Sequence, residues 1–400
     1  MLNDALEFLA KKMGNVVKYD VNGNPSFYVP FKKCLSSDLD ASLPGHTHPA
    51  FIVGSEEKDQ ILIGKYMGCK ISGSNAMYSI PGRAPRVNAD YNTMLTEMRA
   101  FNSDASGITI ADHGLILLTA KKYGWKPKGN NNYGADYRDG TKFTLNENVS
   151  VNAVRVHKGW AYKCLVAHTT SLAHLPENDR AYWEKGEQVG GTPVSSQVTS
   201  TDVNGLNTLT GSGPVSWCLG NDPANLVDIQ GNAAEQVYGY RTVDGEIQIL
   251  PNNDAASPTA DLSATSTLWK AIKPSLTDET YTLVAPGTAG TLHWNWLSSK
   301  VTLDTESIED SESRGTTFTQ LAVKSANVPY VPSIMRELGL FPCSGDNVTE
   351  GYFYVNLSGE RVGRRGGLYN PASYAGLGFL LGAYPRSSAY VSYGARPRSL

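Results

Sequence analysis

Apolar residues recur along this chain with two different periods. Three segments, residues 2–13, 91–102 and 110–123, place their apolar residues at the three-to-four-residue spacing of an amphipathic helix. Elsewhere, short runs of β-branched and aromatic residues are bounded by Asp, Gly or Pro, as expected for strands. The clearest of these runs lie at residues 246–250, 280–284 and 352–357. The pattern predicts a chain with few helices and many short strands.

An early segment, residues 48–66, contains two apolar runs on either side of the polar residues 54–59. Two β-rich runs joined by a polar turn are typical of a hairpin. We therefore expect the two runs to pair with each other and to open the folded domain.

Composition agrees with a turn-rich body. The chain has 400 residues, of which 40% are hydrophobic and 18% charged, and it contains 39 glycines and 21 prolines. Such a chain is long enough to bury a full core, and its many turn-forming residues favour strands and loops over a helix bundle. We expect an α+β fold with short antiparallel strands and long loops.

Charge and hydropathy argue against a nucleic-acid partner, a membrane span and a signal peptide. Residues 1–360 carry 29 Lys and Arg against 38 Asp and Glu, whereas residues 361–400 carry six Arg and no acid. A nucleic-acid-binding domain would place Lys-rich clusters on a basic body, so we expect no nucleic-acid partner. No stretch approaches eighteen apolar residues, and the N-terminal residues lack a basic segment followed by an apolar one. We expect neither a membrane span nor a signal peptide.

Candidate catalytic and metal-binding residues are sparse. The five cysteines lie far apart without a CxxC, which favours buried free thiols. His46 and His48 form an HxH whose rings would share one face of a strand, but the other histidines follow no ligand spacing, and loop histidines are the simpler interpretation. Serine-hydrolase and phosphate-loop motifs are missing from the sequence. We expect no enzyme activity, no metal and no cofactor.

The last forty residues have the most unusual composition. Residues 361–400 contain five tyrosines and no Lys, Glu, Gln, Met or Trp. Tyr, Ser, Gly, Ala and Asn are scattered there between Gly and Arg residues, which is the mixture that binding loops favour. Tyr is common in such loops because it offers a large contact area while few torsions must be frozen. The alternative is that these tyrosines belong to strand faces of a β-rich core.

Several segments, in order, resemble the C-type-lectin-like fold shared by formylglycine-generating (sulfatase-modifying) enzymes and by the variable proteins of diversity-generating retroelements. Residues 48–66 resemble the opening hairpin, and residues 213–239 resemble the D-x-x-G-N-V-W-E-W stretch, here DIQGNAAEQ, without its Val and two Trp. RRGG at 364–367 and GARP at 394–397 bracket the closing strands. Residues 243–256 are more similar to the variable-protein and phage branch.

The resemblance implies a C-type-lectin-like fold with two helices over most of residues 46–400. It also implies fixed positions that brace the closing strands rather than contact a ligand. These structural anchors are Asp228, Gly231, Asn232, Arg365, Gly366, Gly367, Gly394 and Arg396. Formylglycine-generating enzymes use a pair of cysteines near the C-terminus, and Cys343 has no such neighbour. The oxidoreductase alternative is therefore disfavoured.

In the retroelement family, template AAC codons are copied with randomised adenines, and Lys, Glu, Gln, Met and Trp cannot arise that way. The resemblance thus implies a variable region at about residues 366–398, between the anchors. Tyr374, Tyr384 and Tyr390 are its strongest positions, and Tyr369 is alternatively a fixed packing aromatic. The candidate ligand-binding positions are Leu368, Tyr369, Asn370, Ala372, Tyr374, Leu381, Ala383, Tyr384, Ser388, Tyr390, Ser392 and Tyr393.

Together these features predict a receptor-binding protein at a phage tail tip that recognises a bacterial surface protein or glycan. Residues 1–40 would be a lead-in for attachment or oligomerisation, and residues 41–400 the binding domain. Other tail proteins are expected partners, and a homo-oligomer such as a trimer is left open. The alternatives are display on a bacterial cell surface, and a phage or cell-surface module of the same fold that does not vary.

Overall fold

The computed structural model describes residues 2–346 and 349–400 and confirms the α+β class. The helices within these residues are α1 (Leu2–Lys12), α2 (Ser36–Leu39), α3 (Tyr91–Arg99), α4 (Ile110–Tyr123) and α5 (Ser333–Glu337). The strands are β1 (Val16–Tyr19), β2 (Pro25–Lys32), β3 (Ile52–Val53), β4 (Glu56–Glu57), β5 (Gln60–Gly64), β6 (Gly68–Cys69), β7 (Tyr78–Ser79), β8 (Ala105–Gly107), β9 (Asn148–Val149), β10 (Val154–His157), β11 (Trp160–Cys164), β12 (His168–Thr169), β13 (Trp183–Gln188), β14 (Ala234–Val243), β15 (Glu246–Ile249), β16 (Lys270–Pro274), β17 (Tyr281–Val284), β18 (His293–Leu297), β19 (Lys300–Asp304), β20 (Arg314–Thr317), β21 (Ala322–Val323), β22 (Tyr352–Val355), β23 (Glu360–Gly366), β24 (Gly376–Gly382), β25 (Tyr393–Gly394) and β26 (Pro397–Ser399). Helices α1, α3 and α4 lie in the segments where the apolar period predicts them, whereas α2 and α5 are short additional turns without such a period.

Helix α4 lies at the centre of the molecule, and its bounds match the prediction. Thr109 and Asp112 form a capping box at its N-terminus, and Gly124 ends it in the left-handed conformation at φ 66°. Ten of the fourteen residues of α4 are buried, since the helix packs against the long strand β14 and against α5. This helix belongs to the largest hydrophobic cluster of the protein.

One large sheet contains every strand from β14 to β25. Nine strands follow one another in the order β20-β22-β24-β23-β14-β15-β18-β19-β21, and β16, β17 and β25 pair at its sides. Strand β25 runs parallel to β14, whereas β23 runs antiparallel to both β14 and β24. Strands β23, β24 and β25, which belong to the C-terminal tail, therefore pair in the middle of this sheet.

A second sheet joins the two ends of the chain, in the order β1-β2-β5-β26-β8. Ile63 in β5 pairs with Val29 in β2 on one side and with Arg398 in β26 on the other. The predicted division between residues 1–40 and 41–400 therefore passes through a shared sheet.

The predicted hairpin at residues 48–66 is wrong. Its first run forms a short 3-10 turn, Pro49–Phe51, followed by β3, which pairs only with the two residues of β4. Its second run is β5, which pairs with β2 and β26 instead. Short runs of this kind predict strands well, but the pairing partner was decided by segments distant in sequence.

Helix α1 leaves its apolar side chains largely in solvent. Phe8 and Leu9 are each 59% exposed and Met13 is 44% exposed, whereas Ala10 is buried. Among the helices in the described ranges, none has the length and apolarity needed to cross a lipid bilayer.

All five cysteines are free thiols, and four of them are buried. Burial raises the pKa of Cys34, Cys69 and Cys218 to about 11, and that of Cys343 to about 12. Because the thiolate is the reactive form, thiols with such pKa values are poor nucleophiles at neutral pH.

Candidate functional site

A concave pocket of about 360 Å³ opens on the large sheet beside β22 and β24. We call it the tyrosine pocket. Seven of the twelve candidate binding positions line it, although they come from three separate parts of the tail. Its lining consists of Ser313, Tyr354, Leu368, Pro371, Phe379, Leu381, Ala383, Tyr384, Tyr390, Ser392 and Tyr393.

Strand alternation explains which residues form the floor. Side chains two apart share a face, so Phe379, Leu381 and Ala383 all point from the end of β24 into the pocket. Tyr354 of β22 pairs directly with Leu381 and joins the same face. The floor is apolar because this face of the sheet is one continuous cluster, in which Ala383, Leu381 and Tyr393 are less than 10% exposed.

Three tyrosines form the rim. The ring centroids of Tyr390 and Tyr393 are 5.0 Å apart, and the ring of Tyr384 lies 6.0 Å from that of Tyr390 and 5.9 Å from that of Tyr393. All three pairs are edge-to-face, the arrangement that aromatic quadrupoles favour. Tyr390 is 50% exposed and Tyr384 is 36% exposed, so both rings can contact a ligand.

A second row of tyrosines continues from the pocket along the surface. Tyr354 contacts Tyr352 at a ring-centroid distance of 4.7 Å, and Tyr352 contacts the half-exposed Tyr374 at the same distance. Tyr374 was a predicted position and lies outside the pocket lining. The row extends the aromatic surface beyond the cavity.

The other predicted positions outside the pocket lining are Tyr369, Asn370, Ala372 and Ser388. Tyr369 packs edge-to-face on Tyr133, with ring centroids 5.5 Å apart. Its carbonyl also accepts a hydrogen bond from the amide of Tyr133. Asn370 is exposed and Ala372 adopts a positive φ of 51°. Tyr369 therefore packs on a neighbouring loop.

A buried arginine lies on the sheet face beneath the pocket. Arg364 in β23 is 0% exposed, and its guanidinium carbon lies 4.2 Å from the ring centroid of Tyr393. It pairs in register with Gln236 of β14, two residues beyond Ala234 on the pocket face. Burial lowers the pKa of Arg364 to about 10, so its guanidinium still carries a charge at neutral pH.

Among the predicted anchors, Arg396 makes the most contacts. Its Nε donates to both carboxylate oxygens of Glu235 at 3.0 Å, and Nη2 donates to one of them at 2.7 Å. The remaining donors reach the carbonyl oxygens of Gly64 and Lys65, and that of Val227, at 2.8 to 2.9 Å. Arg396 is fully buried, so these contacts tie β26 to three other segments of the fold.

Arg365 braces the neighbouring strand. Its Nη2 donates to the carbonyl oxygen of Gly339 at 2.6 Å, and Nη1 donates to that of Phe379 at 3.4 Å. Gly366 and Gly367 have φ of 87° and 108°, and a Cβ at Gly366 would lie 2.7 Å from the carbonyl oxygen of Ile229. Only glycine fits this turn without strain.

The anchors Asp228, Gly231 and Asn232 contact the backbone of neighbouring loops and do not line the tyrosine pocket. Asn232 accepts a hydrogen bond from the amide of Thr208 at 2.8 Å and returns one to its carbonyl oxygen at 3.1 Å. Asp228 is buried and accepts a hydrogen bond from the amide of Gly211 at 2.7 Å. Desolvation raises the pKa of Asp228 to about 6. Gly231 and Gly394 allow close approach, to Asn130 O and to Met67 and Ala233 respectively.

No protein-family model and no curated protein matches this chain.

Sequence reasoning missed four lining residues, Ser313, Tyr354, Pro371 and Phe379. Phe379 shares its alternation with Leu381 and Ala383, so the period of β24 could have found it. Tyr354 carries a signal as well, since Tyr352 and Tyr354 alternate with buried residues in β22. Ser313 precedes β20 and has no signal in the sequence.

The two histidines of the HxH both contact Glu337, through different oxygen atoms. His48 is buried, and its Nε2 contacts the carbonyl oxygen of Glu337 at 3.1 Å. His46 is half-exposed and contacts the carboxylate of Glu337 at 2.7 Å. Burial lowers the pKa of His48 to about 3. Within the described ranges, no group of three or more His, Cys, Asp or Glu is arranged to hold a metal ion.

Proposed function

We propose that this chain is a receptor-binding protein with the C-type-lectin-like fold of retroelement-diversified variable proteins. In this proposal the tyrosine pocket and the adjoining tyrosine row bind the receptor, without catalysis. The observation that carries the proposal is the convergence of seven candidate positions on a single pocket. These positions follow from the family resemblance and from their place between the predicted anchors in the sequence.

The separation of scaffold from contact surface also supports the proposal. The predicted anchors Arg365, Gly366, Gly367, Gly394 and Arg396 are all buried. Between them, Tyr384 and Tyr390 remain exposed at the rim. A site of this kind allows residues to change at the pocket while the backbone that carries them is held by buried contacts.

The chemistry of the rim suits a selective binding surface. Tyr is among the residues most enriched at binding hot spots, where one side chain commonly contributes about 2 kcal/mol or more. An apolar floor beneath hydroxyl-bearing rings buries aromatic area and offers hydrogen-bond donors at its edge. We propose a phage tail tip as the place of display and a bacterial surface molecule as the receptor.

The proposal is tested by binding of the purified, fluorescently labelled chain to a panel of bacterial strains, measured by flow cytometry. On a strain that binds the wild type, Tyr384→Ala and Tyr390→Ala should each weaken binding about thirtyfold, which corresponds to about 2 kcal/mol. Tyr330→Ala is the matched control, because Tyr330 is 44% exposed and lies outside the pocket lining. If Tyr384→Ala, Tyr390→Ala and Tyr330→Ala all bound as tightly as the wild type, a receptor site at the pocket would be refuted.

A further inference from the structure

The buried arginine beneath the tyrosine pocket has no carboxylate partner. Two other buried arginines have one, since Arg396 pairs with Glu235 and Arg398 with Asp112, whereas Arg365 donates to two backbone carbonyl oxygens. Arg364 donates only one hydrogen bond, from Nη2 to the carbonyl oxygen of Pro385 at 3.3 Å. Its Nε and Nη1 have no partner in the described part of the chain. A buried cation without a counter-ion is costly, so it calls for an explanation.

Gln236, the residue opposite Arg364 in register, is in the same situation. It is 0% exposed, and neither its amide nitrogen nor its amide oxygen has a hydrogen-bond partner among the residues described. Two polar side chains with unpaired atoms therefore lie side by side under one pocket. Unpaired buried polar groups are rare in native proteins and often mark functional sites.

The field of Arg364 reaches the pocket through one aromatic ring. Tyr393 separates the guanidinium from the cavity, with the cation 4.2 Å from the ring centroid, and Tyr393 lines the pocket. No Asp, Glu, Lys, Arg or His is among the lining residues, so nothing in the lining offsets this charge. The attraction between unit charges falls in inverse proportion to their distance, and a carboxylate in the pocket would lie beyond the Tyr393 ring, so we expect the charge to raise its affinity about tenfold at low ionic strength.

The rim offers neutral hydrogen-bond donors to complement that charge. Tyr354, Tyr384, Tyr390 and Tyr393 line the pocket, and with Ser392 they bring five hydroxyl-bearing side chains to it. A bound carboxylate accepts hydrogen bonds and donates none, which matches hydroxyl donors above a buried cation.

Resting on the function proposed above, we propose that the tyrosine pocket receives an acidic side chain of a protein receptor, with an apolar neighbour on the floor. The floor of Phe379, Leu381 and Ala383 favours a protein over an acidic sugar. A sugar ring carries several hydroxyl donors, and the lining has no carboxylate or side-chain amide to accept from them. The carboxylate would lie at the tyrosine rim, and the apolar group against the floor.

The test uses small probes on the full chain. 3-Phenylpropionate carries a carboxylate on an apolar body, and 3-phenylpropanamide is its uncharged analogue of the same shape. N-Acetylneuraminate represents an acidic sugar. Binding of each is titrated by NMR at low ionic strength and again at 0.5 M salt. We expect the acid to bind about tenfold more tightly than the amide, with salt removing most of the difference.

Variants locate the charge responsible. Arg364→Gln should abolish the preference for the acid, and Arg364→Lys should retain it, with folding checked by near-ultraviolet circular dichroism. Tyr393→Phe keeps the stacked ring and serves as a second variant if Arg364→Gln does not fold. It should lower the affinity for 3-phenylpropionate more than the affinity for 3-phenylpropanamide. Equal affinity for acid and amide, no detectable binding of the acid, or tighter binding of N-acetylneuraminate would each overturn the proposal.

Failure of this inference is distinguishable from failure of the proposed function. If Tyr384→Ala loses cell binding while acid and amide bind equally, the receptor site stands and the acidic ligand is refuted. If Tyr384→Ala and Tyr330→Ala bind cells equally well, the receptor site itself is refuted.

Discussion

Replacing Arg396 with methionine tests whether the predicted anchors beside the variable region stabilise the fold rather than bind the receptor. The guanidinium makes three contacts with Glu235 and three with backbone carbonyl oxygens, and both side chains are buried. Methionine fills much of the same volume but donates no hydrogen bond. The variant therefore leaves a buried carboxylate and the carbonyl groups of Gly64 and Val227 without this donor, whereas the carbonyl of Lys65 still accepts from the amide of Val227.

The expected cost follows from these contacts. Removing one partner of a buried ion pair costs about 3–5 kcal/mol, and each carbonyl left unpaired adds about 1 kcal/mol. The sum is a loss of about 5 kcal/mol or more, against a total stability of about 5–15 kcal/mol for a typical protein. The Arg396→Met variant should therefore unfold at much lower denaturant concentration than the wild type.

The assay is urea unfolding followed by tryptophan fluorescence, with the slope of each transition compared between proteins. Arg361→Met is the matched control, because Arg361 is partly exposed and its Nε and Nη2 contact only the side chain of Asn356. Its cost should stay below about 1 kcal/mol. If Arg396→Met cost no more than Arg361→Met, or lost receptor binding with unchanged stability, Arg396 would not be scaffold.

Two further predictions concern stability. The pKa of Asp228 is raised to about 6, so between pH 4 and 6 the folded state holds a proton that the unfolded state has released. The free energy of unfolding therefore falls as pH rises through this window, by at most about 3 kcal/mol. Asp228→Asn should remove that component from a pH series of urea unfolding curves, and an identical pH profile in both proteins would contradict the pKa shift. Tyr384→Ala and Tyr390→Ala should each change the unfolding free energy by about 1 kcal/mol or less, since both rings are at the rim; a thermal melt showing extensive loss of folding would make them core residues.

The elements that could be predicted are those whose signal is local. Helix α4 contains its own cap, its apolar residues and its terminal glycine within residues 109–124, and its bounds were predicted correctly. The hairpin at 48–66 failed because β5 pairs with β2 and with β26, near the other end of the chain. No local pattern contains that information.

The residues of the site also separate into those with a local signal in the sequence and those brought together by strand pairing. The tyrosines of the rim could be selected because they stand between Gly and Arg residues within one short segment. Tyr354 and Ser313 enter the pocket only because β22 pairs with β24 and β20 pairs with β22. Arg364 was visible in RRGG, but its missing counter-ion depends on which side chains the folded sheet places around it.

The most direct test of the central claim is to sequence the codons for residues 361–400 in many carriers of this gene. If the tyrosine pocket is a diversified receptor site, substitutions should concentrate at its lining positions such as Tyr384 and Tyr390. Lys, Glu, Gln, Met and Trp should be missing there, and Arg365, Gly366 and Arg396 should stay unchanged. An invariant tail in every carrier, or substitutions spread equally over pocket and anchors, would contradict the account.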